Sequence, residues 1–238
     1  MSTRDRPLSD LKVLDMSRVM AGPYGARLLC DLGADVVKLE PPEPDITRNW
    51  GVQRHGLSGF YTQQNAGKRN VCIDLKTAGG PELVRRLADR ADVLVENFRP
   101  GVMARIGLDY PTLRERNPRL IMLSVTGFGQ DGPESHRQAY APIIHAEAGY
   151  IARHAEMDGN PPSDPIFSIA TPMRRYTARS HCCPHSTCES EPVSASMSTC
   201  ACCGRWSRPT TTATTYSTTI CRQSVSGARC STRLAGRS

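Results

Sequence analysis

Ten cysteines and six histidines are the side chains of this 238-residue chain best suited to metal binding or nucleophilic chemistry, and they are unevenly spread. Cys30 and Cys72 stand alone, while the other eight cysteines crowd after residue 181, chiefly in "CCPHSTC" (182–188) and "CACC" (200–203). Such density suits zinc, yet neither stretch has the paired C-x2-C arms of a tetrahedral site. His145, in "APIIHAEAG", could move a proton, but one histidine among apolar residues reads more simply as a packing residue. The opening residues, "MSTRDRPLSDLKVL", hold no apolar secretion core, and no run reaches membrane-spanning length. A cytoplasmic chain without a disulfide framework is therefore expected.

Charge divides where the cysteines do. Residues 1–170 carry 21 basic and 21 acidic groups, whereas residues 171–238 carry nine arginines, no lysine and two glutamates, so the net charge of +7 lies wholly in the tail. No basic face recurs at helical spacing with aromatics between, so neither nucleic acid nor a membrane is expected as partner. Of the 68 tail residues 24 are Ser or Thr, with a single Leu and a single Ile. That is too little apolar surface to offset the entropy of ordering, and the tail is expected to be disordered.

The elements that must position any site lie in the body. "LKVLDMS" (11–17) reads as a buried strand, "GPYGARLLCDLGA" (22–34) as a helix and "DVVKLEPP" (35–42) as a second strand. Pro23 suits the first helical turn, where its missing N–H costs nothing, and Gly33 suits a left-handed helix end. "NVCIDL" (70–75), "GGPELVRRLADRA" (79–91) with Leu83, Leu87 and Ala91 on one stripe, and "DVLVEN" (92–97) repeat the pattern. "LIMLSVTGFG" (120–129) adds one more strand. Near-continuous apolar strands alternating with helices predict an α/β fold with an open parallel, Rossmann-like sheet. Ligands of such sheets bind beyond the carboxyl ends of the strands, although no G-x-G-x-x-G follows the first strand.

Four stretches, "LKVLDMSRVMAGPYGARLLCDLGADVVKLEPP", "NAGKRNVCIDLKTAGG", "ADVLVENFRPGVMARIGLDY" and "SVTGFGQDGP", make residues 9–170 resemble the class III coenzyme A transferases, a family that includes formyl-CoA transferase, carnitine CoA-transferase and α-methylacyl-CoA racemase. The resemblance implies the N-terminal half of that fold over 1–170, acyl-CoA and carboxylic acid substrates, no separate cofactor or metal, and an interlocked homodimer. It places coenzyme A contacts on Ala21 beside Gly22, on Asp74, Leu75 and Lys76, on Asn97 and Phe98, and on Arg105. Read without it, Asp74 and Lys76 are an exposed strand end, "RPG" (99–101) a turn, and Arg105 a solvated helix face. Met20 and Pro41 depart from the transferase pattern, which has glutamine and arginine there. Racemases of the family carry histidine where this chain has Tyr140, and a phenol with an ordinary pKa of about 10 is poorly suited to exchanging an α-proton. Transfer is thus favoured over racemisation.

The family's nucleophile, an aspartate that forms an acyl anhydride and then an enzyme thioester, should follow "FSIA" directly. Thr171 stands there, and a neutral hydroxyl without a base cannot replace it. The change is not confined to one residue. Codons for "TPMRRYTA", regrouped with one base borrowed in front, allow Asp-Ala-Asp-Ala-Ala-Leu-His-Gly, while "SMSTCACC" allows "HVDMRLL" and "SRPTTTATTY" allows "AADDYNNY" in the same frame. A one-base frameshift near residue 170 accounts for residues 171–238, their cysteines included, and leaves the zinc reading without a motive. This chain is then expected to be inactive, at most a CoA-binding fragment.

Overall fold

The computed structural model describes residues 6–164 and, as backbone, residues 197–201. Its core alternates strand and helix: β1 (Lys12–Asp15), α1 (Ala21–Asp31), β2 (Asp35–Glu40), a hairpin of β3 (Gln53–Arg54) and β4 (Leu57–Ser58), α2 (Gly59–Asn65), β5 (Arg69–Cys72), α3 (Gly80–Ala88) and β6 (Val93–Glu96). After these come α4 (Val102–Arg105), α5 (Tyr110–Arg116), β7 (Ile121–Thr126), α6 (Ala141–Glu147), α7 (Tyr150–Asp158) and β8 (Met197–Ala201). Six strands form one sheet in the order β5-β2-β1-β6-β7-β8, and every pairing in it is parallel. The expected open parallel α/β sheet is the one observed.

β6 and β7 are buried along their whole length, as strands covered on both faces must be. Alternate residues feed two cores. Val13, Val36, Val93, Val95 and Leu123 pack against Ala26 and Leu29 of α1 on one face. Leu14, Leu39, Leu94 and Met122 meet Val84, Ala88, Met103 and Leu113 from α3, α4 and α5 on the other.

Local signals set the helix limits. Gly33 takes φ +111°, its N–H bonds Cys30 O at 2.9 Å and Ala34 N bonds Leu29 O at 3.0 Å, the two bonds of a left-handed helix stop. In α3 the buried residues are Gly80, Val84 and Ala88; of the expected stripe, Ala91 is buried just beyond the helix and Leu87 packs against the same core, while Leu83 is corrected, being 48% exposed. Gly80 is needed at the start of this face because a Cβ there would meet the Asp74 carbonyl at 2.0 Å.

The expectation of a tail without regular structure does not extend to Met197–Ala201, which runs beside β7 with Met122 opposite Met197. A strand edge offers unpaired backbone groups whatever side chains the incoming segment carries. The rest of residues 171–238, Thr171 and the remaining tail cysteines with it, lies outside the described residues. No helix among the described residues is long and apolar enough to cross a membrane.

Candidate functional site

Four neighbouring strands end on a buried polar side chain: β2 on Glu40, β1 on Asp15, β6 on Glu96 and β7 on Thr126. Asp and Glu disfavour strands and burial alike, so polar groups gathered at the carboxyl edge mark the end of the sheet that does something other than pack. The chain also reverses its direction of sheet growth there, since β1 is flanked by β2 and β6. Ligands of open parallel sheets enter at such a reversal.

The segment joining β1 to α1 crosses this point and is held from both sides. Asn97, just after β6, takes the N–H of Arg18 on its Oδ1 and returns its amide to the Arg18 carbonyl, both at 2.7 Å. Val19 adopts φ +67°. A left-handed β-branched residue costs on the order of 1–2 kcal/mol, and Asp45 Oδ2 accepts its N–H at 3.0 Å. Gly22 is required because a Cβ there would stand 2.3 Å from the Ser17 Cβ. The first turn of α1 can therefore press against the strand end.

Beneath the segment lie four buried charges. Lys68 spends its three N–H groups on Asp15 (2.7 Å), the Pro23 carbonyl (2.7 Å) and Asn65 (2.9 Å). Lys38 donates to the Ser17 carbonyl at 2.7 Å and pairs with Asp45 at 3.5 Å. Burial pushes the Asp15 carboxyl up, but Lys68 and Lys38 outweigh it and hold it below the usual carboxylate range. Burial lowers Lys68, with Asp15 opposing it. Breaking such a pair on one side leaves an uncompensated charge, at a cost of about 3–5 kcal/mol.

Glu40 anchors a second network. It receives Arg48 Nη2 at 2.5 Å, Tyr61 Oη at 2.9 Å, the Asp45 N–H at 3.0 Å and the Asn70 amide. Burial raises its carboxyl, yet these donors, Arg48 foremost, bring it down to about 2. The Tyr61 phenol is pushed up by burial and by Glu40. Glu96, raised by burial, accepts the Phe98 N–H at 2.8 Å and so fixes the turn after β6.

An open cleft of about 360 Å³ lies at this edge, lined by Arg18, Pro41, Glu43, Asp74, Leu75 and Lys76. The structure thus brings together Asp74, Leu75 and Lys76 of the expected contacts. An Asx turn, Lys76 N on Asp74 Oδ1 at 2.9 Å, shapes this stretch. Gly80 lets α3 pack onto it, for a Cβ there would come within 2.0 Å of the Asp74 carbonyl. Phe98 sits under the Arg18 guanidinium at 5.8 Å. Ala21 is buried as the first residue of α1, and Met20 precedes it. Asn97 is half-buried and its amide engages the chain itself. Arg105 ends α4 exposed and does not line the cleft.

Tyr140 is 65% exposed ahead of α6, and His145 is buried, with Nδ1 2.8 Å from Asp164 and its ring beside Tyr150. Among the described residues no cluster of His, Cys, Asp and Glu is arranged to hold a metal. Sequence reasoning missed Arg18, Lys38, Asp45 and Lys68. The signal was present: "KVLD", "DVVKLE" and "VLVE" each close an apolar run with an acid, and buried acids demand cations.

The cleft therefore offers two cations, Arg18 and Lys76, beside two acids, Glu43 and Asp74, with Lys76 3.8 Å from Glu43, and apolar surface from Pro41 and Leu75; a phosphate-bearing ligand would have to draw Lys76 away from Glu43. A family model described as CoA-transferase family III matches residues 8–174. Succinate–glutarate CoA-transferase of Agrobacterium fabrum is 44% identical over 169 residues, 68% of this chain and 42% of that protein. Acetyl-CoA:oxalate CoA-transferase of Acetobacter aceti is 42% identical over 156 residues, 65% of this chain and 40% of its own. This chain spans about two fifths of the length of these relatives. Among solved structures, a CAIB/BAIF family protein from Brucella suis superposes with a TM-score of 0.65 at 38% identity, covering 74% of this chain and 48% of its own.

Proposed function

The chain belongs to CoA-transferase family III, and from that premise we propose that its body is the coenzyme A-binding half of an enzyme that moves CoA from an acyl-CoA to a free carboxylate. The observation that carries the reading is the cleft at the carboxyl edge of the sheet, whose lining includes Arg18, Leu75 and Lys76. Lys76 and Arg18 supply charge for phosphates; Leu75 and Phe98 supply apolar surface for the adenine and the pantetheine arm. Asp74 shapes the turn, Ala21 opens α1, and Arg105, which lies outside the cleft lining, is kept among the proposed contacts on the family resemblance alone. Asn97 contributes by holding Arg18.

In the full reaction an aspartate carboxylate attacks the acyl thioester, expelling CoA thiolate and forming a mixed anhydride. The thiolate returns to the aspartyl carbon, the first acid leaves, and the enzyme thioester passes CoA to the acceptor acid. Thr171 occupies the place of that aspartate, and a one-base shift near residue 170 is our account of it; the family match ends four residues beyond Ala170. The chain as written is therefore a CoA-binding, non-transferring protein. Histidine's absence at Tyr140 favours transfer over racemisation for the correctly read enzyme. Exposed Ile46, Val52 and Leu57, with Trp50 beside Phe60, are apolar surface of the kind a second subunit would cover.

The experiment compares the chain as written with a version carrying one restored base before codon 171. Calorimetry should detect CoA binding to the first, with no CoA exchange between succinyl-CoA and glutarate or oxalate, and the second should transfer. Absent CoA binding by both would overturn the cleft assignment, and turnover by the first would overturn the role given to Thr171.

A further inference from the structure

The segment Ser17–Val19 carries Arg18 into the cleft and leads into α1, and it holds a backbone shape that its own sequence disfavours. Val19 is left-handed, and its N–H has one acceptor, Asp45 Oδ2 at 3.0 Å. Asp45 comes from the connection after β2, two residues beyond Glu43 of the cleft lining, and is 2% exposed. Its place is determined on every side. Its N–H goes to Glu40 at 3.0 Å, its Oδ1 accepts Thr47 N at 3.1 Å and Thr47 Oγ1 at 2.8 Å, and Lys38 lies 3.5 Å from Oδ2. Lys38 in turn grips the Ser17 carbonyl. One buried carboxylate thus ties the Glu40 network to both ends of the segment.

We propose that Asp45 is a positioning residue for the cleft: by holding Val19 left-handed it fixes where Arg18 stands and where α1 begins. This rests on the reading of the cleft as a CoA site. Without Asp45 the valine returns to the extended backbone that β-branched residues prefer, and Arg18 swings with it. Asp45 is buried and does not itself line the cleft, so its effect passes through the groups it holds, the Val19 backbone first.

The test uses the full chain with Asp45→Ala, Val19→Gly and the two combined, read by amide hydrogen exchange, by calorimetry with CoA and by melting temperature. Asp45→Ala should speed exchange at the Val19 amide and weaken CoA binding about tenfold, the scale of one buried charge-assisted bond. Glycine adopts the left-handed shape at no steric cost, so the double variant should bind CoA within about threefold of the parent. Its melting temperature should stay low, because the Lys38 partner is still missing. A purely structural role predicts instead that affinity follows melting temperature and that Val19→Gly rescues neither. Asp45→Asn serves where Asp45→Ala does not fold. Its oxygen is claimed by Thr47, which turns its amide toward the Val19 N–H and Lys38, donors against donors, and the same changes and rescue are expected. Unchanged exchange at Val19, or no rescue of affinity by glycine, overturns the proposal. If the parent binds no CoA, the cleft reading fails by itself, and the exchange measurement alone decides whether Asp45 holds Val19.

Discussion

Glu40→Gln tests the electrostatics of the rim through a pH-dependent cost. The carboxylate is 4% exposed and gathers four donors, and they bring it from an ordinary 4.5 to about 2. A fall of that size corresponds to about 3 kcal/mol of folding stability, and the one-third exposure of Arg48 makes this a ceiling. Because the folded group is the stronger acid, the contribution is complete above about pH 5. It declines as acid protonates the unfolded chain first, and it is gone once pH falls through the folded value near 2. Gln cannot mimic the carboxylate, since its NH2 would face Arg48 or Asn70. Urea unfolding of parent and variant at pH 7, 5 and 3 should show a difference of about 2–3 kcal/mol at the first two that shrinks by more than half at the third. A difference constant from pH 7 to pH 3 would show that Gln is merely a poor fit and that the charge contributes nothing.

Lys68→Met should destabilise the chain by about 3–5 kcal/mol in chemical denaturation, because Asp15 would keep its burial and lose its nearest cation; a loss under about 1 kcal/mol would mean that Lys38 alone suffices. Gly80→Ala should cost about 1–3 kcal/mol and loosen the turn at Asp74, visible as weaker CoA binding, since the added methyl meets the Asp74 carbonyl at 2.0 Å. An unchanged melting temperature would refute that packing.

What was legible in the chain was the part that repeats. β1, α1, β2, β6 and β7 follow from apolar runs and from Gly33, because fully buried strands need nothing else to declare themselves. Leu83 misled because an apolar residue was taken to define the buried face, whereas the face that α3 buries runs through Gly80, Val84 and Ala88, with Leu87 at its margin. The β3–β4 hairpin and α2 fall within 49–69, where neither period rises above the noise of mixed polar residues. Motifs singled out Asp74, Leu75 and Lys76, which line the cleft. They could not reveal that the Asn97 amide turns inward, nor that Lys38, Asp45 and Lys68 stand beneath. Partners separated by 26 and 53 positions, as in Val19 with Asp45 or Asp15 with Lys68, leave no mark on local spacing.

The carboxyl edge of the sheet also has a thermodynamic meaning for anyone who would harden this molecule. Glu96 accepts a neighbour's amide at the cost of lying out of water, and leucine there would spare that cost only by leaving the Phe98 N–H without its acceptor and freeing Phe98 to wander. A group that is costly to bury thus sets the course of the chain as it leaves β6, and its removal would be felt first in the path of that turn.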